Sequence, residues 1–238
     1  MPNDWISEEE RSAVYKTIYG RRDVRSFFKP EPIPTEVLAR LLNAAHHAGS
    51  VGYMQPWNFI VVEDRQIRQK VKEAFLAERA EAAQLFEPDK KEKYLSFKLE
   101  GILETPVNLV VTSDPTRFGP QVIGRRSVPE TDIYSTCCAI QNLWLAARAE
   151  NIGVGWVSIL KREDLRKIFN IPSHITIVAY LCLGYVTHFP GKPDLEGLKW
   201  GVRNPLVDHV FFETWEGLAS ESRPDWPFLK EILNESCS

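Results

Sequence analysis

Arg21-Arg22-Asp23-Val24-Arg25 sets three guanidiniums and one carboxylate within five residues, between a helix-like segment and a proline-rich turn. A guanidinium presents a planar fork of donors that matches a phosphate in bidentate fashion, and it keeps its charge when partly desolvated. A unit of phosphate charge about 4 Å from one arginine gains roughly 4 kcal/mol at an effective dielectric of about 20. Two such arginines hold a phosphorylated ligand firmly. The same run also reads as a solvated basic turn with Asp23 as its internal counter-ion. The surrounding chain decides between these readings.

Immediately before this run, Ser7-x-x-Glu10 is a capping box that opens a helix carrying Val14, Ile18 and Tyr19 on one face, and Gly20 ends it. Immediately after it, Pro30, Pro32 and Pro34 forbid helix, and Thr35 is expected to cap the next one. That helix aligns Val37, Leu38, Leu41, Leu42 and Ala45 in a stripe reaching Ala48. A loop, Gly49 to Pro56, leads into a strand over Trp57 to Val62. Asp64 caps a long polar helix to about Phe86, and a second charged helix is expected over Asp89 to Gly101.

Pro106 introduces a strand over Val107 to Thr112, and Asp114 to Pro129 reads as a surface excursion or lid. The helix from Glu130 to Glu150 is apolar nearly all round, as expected of a buried central helix or one shared with a partner chain. Asn151 to Gly153 reads as a turn, Val154 to Ile159 as a strand, and Glu163 to Phe169 as a short helix. Ile175 to Leu183 is a continuous β-branched and apolar run, hence a core strand. From Phe189 onward proline, glycine and tryptophan dominate, which predicts an arm wrapped over a surface. Without repeat or linker, the economical reading is one α+β domain over residues 1–238.

With 238 residues, 44% hydrophobic and 26% charged, the chain has the balance of a globular protein with an ample core. A net charge of -3 points away from nucleic acid, and the longest apolar run, Ile175 to Val186, is too interrupted to span a membrane. Met1 to Trp5 lacks the basic and apolar regions of a secretory leader, so a cytoplasmic location is expected. Cys137, Cys138, Cys182 and Cys237 form no Cys-x-x-Cys pair and read as buried thiols, and no metal site is expected.

Four pieces are candidates for chemistry: Arg21 to Arg25, the loop Ser50 to Trp57, the strand Gly153 to Ser158, and Arg203. No Gly-x-Gly-x-x-Gly follows a strand, so neither a dinucleotide fingerprint nor a P-loop is present, and phosphate binding falls to arginine side chains. Gln55 offers a donor and an acceptor suited to the edge of a planar heterocycle, or is simply a polar loop residue. Gly155 permits close backbone approach to a ligand and Trp156 supplies a flat face, or both serve sheet packing. His46 and His47 read as packing or surface residues, and Lys98 and Glu100 as a solvated helix face. Together these residues indicate a phosphorylated aromatic ligand held without a dinucleotide fold.

Several motifs add a family resemblance: Arg21 to Arg25, Met54-Gln55-Pro56-Trp57, Lys98-Leu99-Glu100-Gly101-Ile102, Asp132-x-Tyr134-Ser135, Gln141 to Glu150, Gly153 to Ile159, and Ala179 to Tyr185. With them, over about residues 11–215, the chain resembles the FMN-dependent nitroreductase superfamily and, within it, the 5,6-dimethylbenzimidazole synthase family. Asp23, Met54 to Trp57 and Trp156-Val157-Ser158 carry the narrower likeness. Gly49 departs from it, standing where the family carries proline, and residues 216–238 lie beyond the match.

The resemblance implies a mostly antiparallel central sheet flanked by helices, in an interlocked homodimer with a wrapping C-terminal arm and FMN at the subunit interface. Arg21, Arg25 and Arg203 then hold the FMN phosphate, flanked by Arg22, Asp23 and Val24, while Ser50 and Gln55 lie along the isoalloxazine. Gly155, Trp156 and Ser158 line the reactive edge of the ring. Asp23 and Ser158 match the family's essential carboxylate and hydroxyl. Reduced FMN is the substrate and O2 the oxidant, the products are dimethylbenzimidazole and erythrose 4-phosphate, and a separate flavin reductase supplies the reduced flavin. Breaking ribityl C–C bonds in a retro-aldol manner requires proton removal from a hydroxyl, a task for Asp23, which Arg22 and Arg25 should keep ionised. Three other readings remain open: an NAD(P)H-dependent nitroreductase or quinone reductase, a flavin-binding protein without turnover, and a corrinoid reductase.

Overall fold

The capping box closes as its spacing predicts: Ser7 Oγ accepts from the Glu10 N–H at 3.2 Å, and Glu10 Oε2 accepts from the Ser7 N–H at 2.8 Å. It starts the first helix, α1, Glu8–Gly20. This computed structural model describes residues 5–215 and divides the chain into a unit spanning Met1–Pro190 and a second spanning Gly191–Ser238.

In the first unit, α2 (Thr35–His46) follows the prolines. Pro34 occupies its cap and Thr35 is already helical, its hydroxyl bonded to Glu36, so Thr35 is not the cap expected. This helix stops at His46, two residues short of the expected Ala48. Then come β1 (Trp57–Val62), α3 (Arg65–Ala82), α4 (Pro88–Ser96), β2 (Val107–Ser113), α5 (Thr131–Ala149), β3 (Ile152–Trp156), α6 (Arg162–Phe169) and β4 (Thr176–Tyr185). Asp64 caps α3 by accepting from the Gln66 and Ile67 N–H groups. α4 ends at Ser96 rather than Gly101.

The strands form one sheet in the order β1-β2-β4-β3, with every neighbouring pair antiparallel. The expected α+β architecture with an antiparallel sheet is thus present. Alternation along β2 and β4 builds a core on each face. Leu109, Val111, Ala179, Leu181 and Leu183 pack with α2 and α5 on one side, and Val110, Tyr180 and Cys182 meet Val71 and Phe75 of α3 and Leu165 of α6 on the other. A fully buried leucine such as Leu181 contributes about 1.5–3 kcal/mol.

α5 is the buried central helix that its composition predicts, with Ala139, Ile140, Leu143 and Ala147 shielded from water. α1 differs from its expected apolar face: it buries none of its residues, and Val14, Tyr15, Ile18 and Tyr19 face solvent.

β3 begins at Ile152 and ends at Trp156, so Ile152 and Gly153 belong to the strand and Ser158 lies beyond it. The reversal falls instead on Asn151, in the left-handed region at φ 57°. Among the described residues no helix is long and apolar enough to cross a membrane. The second unit contributes α7 (Asp194–Gly197) and a 3-10 turn, Leu206–His209. The expected tail, residues 216–238, and Cys237 lie outside the described residues.

Candidate functional site

The arginine run leaves α1 at Arg21 and continues as an extended segment along the edge of β3 that faces away from β4. Asp23 bridges Val154 in parallel, and the Val24 N–H donates to the Val154 carbonyl at 3.0 Å. Val24 is buried beneath this contact. A Cβ on Gly155 would collide with the Val24 carbonyl oxygen, so the lack of one lets the chain's own backbone approach here. Phe28 locks the far end of the segment. A Cβ on Gly101, Gly153 or Gly184 would fall 2.5, 3.2 or 3.1 Å from its ring, so the three glycines form its seat.

Two contacts of Asp23 tie it to this edge. Its Oδ1 accepts from the Trp156 N–H at 3.1 Å, and its Oδ2 pairs with Arg25 Nη2. The Arg22 guanidinium turns back, donating to the carbonyls of Tyr19 at 2.7 Å and Arg21 at 2.9 Å. Arg21 lies over the Trp144 ring, 5.0 Å from its centroid, and the Trp144 indole N–H donates to the Arg22 carbonyl at 3.2 Å. Arg148, one turn along α5, donates from Nε to the Gly20 carbonyl at 2.9 Å. Trp144 and Arg148 therefore hold the arginine segment, a role the sequence reading missed. The single basic residue of that helix, four residues after a tryptophan, was the available signal.

The loop between α2 and β1 is tight, with Gly52, Tyr53 and Gln55 in the left-handed region at φ 57°, 54° and 44°. Ser50 Oγ closes it by accepting from the Gln55 N–H at 3.1 Å. Ser135, a buried residue in the first turns of α5, accepts from the Val51 N–H at 3.2 Å and donates to the Thr131 carbonyl at 2.6 Å. Met54 and Trp57 are buried behind the loop, and the Trp57 indole N–H donates to His46 Nδ1 at 3.1 Å. The 114–129 excursion lies on this loop. A Cβ on Gly52 would meet Val122 at 2.5 Å, and Arg125 reaches Met54 Sδ at 3.4 Å. A Cβ on Gly49 meets nothing within 4 Å, so there is room where the family's proline was expected.

The structure thus joins Arg21, Asp23, Val24, Arg25, Gly155 and Trp156 around the edge of β3, and separately ties Ser50 to Gln55. Trp156 is half-buried, its ring 6.4 Å from that of Trp144. Ser158 is exposed, two residues past the Asp23 contact. Arg203, in the second unit, is also exposed.

Lys98 and Glu100 are not a solvated helix face. Glu100 is buried, pairs with Lys72 and with Lys98 at 3.1 Å, and accepts from the Ile102 N–H at 2.8 Å. Burial pushes its carboxyl up, but the Lys72 hydrogen bond, the Ile102 N–H and the Lys98 charge outweigh that and hold it below the usual carboxylate range. Of the cysteines, Cys182 is buried, Cys137 half-buried and Cys138 exposed, so the expectation of buried thiols fails at Cys138. Burial raises the Cys182 thiol far above its ordinary value.

A family model described as the Nitroreductase family matches residues 18–185. The 5,6-dimethylbenzimidazole synthase of Rhodospirillum rubrum is 41% identical over 185 residues, covering 78% of this chain and 87% of that protein. The protein of the same name from Rhodobacter capsulatus is 37% identical over 195 residues, covering 82% and 94%. Among solved structures, oxidized iodotyrosine deiodinase bound to FMN and 3-iodo-L-tyrosine superposes with a TM-score of 0.67 at 24% identity, covering 85% of this chain and 100% of that one. A BluB-like flavoprotein from Clostridium difficile 630 gives 0.62 at 19% identity, covering 84% and 99%. At those identities the two structures share the fold.

Proposed function

Since this chain belongs to the nitroreductase family, we propose that it is a 5,6-dimethylbenzimidazole synthase, fragmenting reduced FMN with O2 into 5,6-dimethylbenzimidazole, erythrose 4-phosphate and a remnant of the pyrimidine ring, for the lower ligand of cobalamin. The observation that carries this reading is the placement of Asp23. A carboxylate wedged between Arg25 and the Trp156 N–H, in a chain 41% identical to a protein of that name, serves proton transfer. Simple hydride relay to a second substrate needs no such group.

The residues fit a flavin mononucleotide. Arg21 and Arg25 supply guanidiniums for the phosphate, while Arg22 is turned to the backbone and holds the segment in place. Arg203 is a third phosphate ligand on the resemblance. Ser50 keeps the loop closed so that Gln55 presents its amide to the ring edge. Reduced FMN supplies the electrons that O2 takes up and is itself consumed. Asp23 takes a proton from a ribityl hydroxyl, and Ser158 donates a hydrogen bond at the reacting edge. The exposed apolar face of α1 supports a homodimer, in which Val14, Tyr15, Ile18 and Tyr19 are covered by a second copy. A separate flavin reductase supplies reduced FMN in the cytoplasm.

The test is aerobic incubation of the purified protein with chemically reduced FMN, followed by mass analysis. The expected result is dimethylbenzimidazole with loss of FMN. Asp23→Asn should still bind FMN and yield no product. Quantitative recovery of intact oxidised FMN from the wild-type reaction would refute the synthase and favour an NAD(P)H-dependent reductase.

A further inference from the structure

Arg25 has two claimants. Its guanidinium is paired with Asp23, two residues earlier on an extended segment, where side chains at i and i+2 share a side. The Arg25 and Asp23 side chains are only 15% and 29% exposed, so solvent and salt weaken the pair less than they would a surface pair. The other carboxylate oxygen is held by the Trp156 N–H. One carboxylate oxygen thus faces the Trp156 N–H and the other the Arg25 guanidinium, so a ribityl hydroxyl meets Oδ2 only if Arg25 moves. Arg25 is also the second phosphate guanidinium in the proposed function. A phosphate monoester carries close to twice the charge of a carboxylate and has three acceptor oxygens, so it competes well for the same fork of donors.

We propose that Arg25 is a specificity-determining switch: a phosphate group in the site draws Arg25 from Asp23 and leaves carboxylate Oδ2 to accept the ribityl hydroxyl proton. The inference rests on the reading of Asp23 as the base and deepens it. The phosphate then governs turnover as well as affinity, and the substrate class is flavin phosphate monoesters. A flavin lacking phosphate can occupy the ring site and still leave Asp23 locked. An arginine that only anchored the phosphate would alter the apparent KM for FMN and have no influence on a ligand without phosphate.

The switch is tested with reduced riboflavin as the phosphate-free probe. At saturation, wild-type protein should fragment riboflavin at least about tenfold more slowly than FMN, the scale of one charge-assisted hydrogen bond. Inorganic phosphate added with riboflavin should restore part of that loss. Arg25→Gln should raise kcat for riboflavin about tenfold and abolish the phosphate response, whereas Arg25→Lys should keep it. An independent readout is the Trp156 backbone amide proton in the flavin-free full chain. It should move downfield as inorganic phosphate is added, because the released carboxylate accepts more strongly, and should start at the shifted position in Arg25→Gln. Equal kcat for riboflavin and FMN in the wild type, or a Trp156 resonance unmoved at saturating phosphate, overturns the switch while leaving the synthase standing. Failure of the wild type to make dimethylbenzimidazole from FMN overturns both.

Discussion

Replacing Gly155 with alanine places a methyl group where the Val24 carbonyl oxygen now sits. Val24 is buried and backbone cannot yield as a flexible side chain would, so the arginine segment must lift from β3. Lifting it breaks the Val24 N–H bond to Val154 and pulls Asp23 from the Trp156 N–H. Overpacking at about 1–3 kcal/mol plus about 0.5 kcal/mol for each of the two lost hydrogen bonds gives a destabilisation of roughly 2–4 kcal/mol. For a chain of this length that lowers Tm by about 5–15 °C. Because Arg21 and Arg25, the proposed phosphate ligands, ride on the same segment, FMN affinity should fall about tenfold or more in the protein that remains folded. Thermal unfolding followed by far-UV circular dichroism measures the first effect, and quenching of flavin fluorescence the second. Gly49→Ala is the control: with nothing within 4 Å it should be neutral or stabilising by up to about 1 kcal/mol. If Gly155→Ala unfolds with Gly49→Ala and binds FMN as the wild type does, the claim that Gly155 exists for Val24 is wrong.

Three further outcomes follow from neighbouring contacts. Ser135→Ala removes the acceptor of the Val51 N–H, so titration with FMN should show affinity weakened about five- to tenfold at nearly unchanged Tm. Glu100→Gln leaves Lys72 and Lys98 without their shared carboxylate, and urea unfolding at neutral pH should show a loss of about 1–3 kcal/mol. Because Glu100 is held below its ordinary value when folded, its stabilisation is present above the ordinary carboxylate range and is lost as pH falls through the lower folded value. The wild-type advantage over Glu100→Gln should therefore shrink in acid, and a constant difference from pH 7 to pH 3 would contradict the assignment. Iodoacetamide followed by peptide mass analysis should modify Cys138 well before Cys182, which should react only on unfolding.

What could be read from the sequence was local. The Ser7–Glu10 box, the Asp64 cap and the apolar runs of β2 and β4 each advertise themselves within a few residues, and the structure places helix or strand there. The arginine run was legible as a cluster, but its geometry was not, because Asp23 meets a partner 133 residues away at Trp156. For the same reason the packing of Gly155 against the Val24 carbonyl could not be read locally. Glu100 read as solvated because Lys72, its counter-ion, lies 28 residues earlier, on α3. The end of β3 was misplaced because Val157 is as β-prone as the strand itself.

The parallel bridge between Asp23 and Val154 also orders events in time. β3 joins the sheet through β4 alone among the strands, and both come from the second half of the chain. The segment that carries Arg21, Asp23 and Arg25 has no edge to dock on until that pairing exists, although it is synthesised more than a hundred residues earlier. Closing so long a loop is an entropic cost met late, after sheet contacts of shorter span are in place. In refolding experiments, competence to bind phosphate should trail the appearance of β-structure, and a nascent chain released before β4 should hold no flavin.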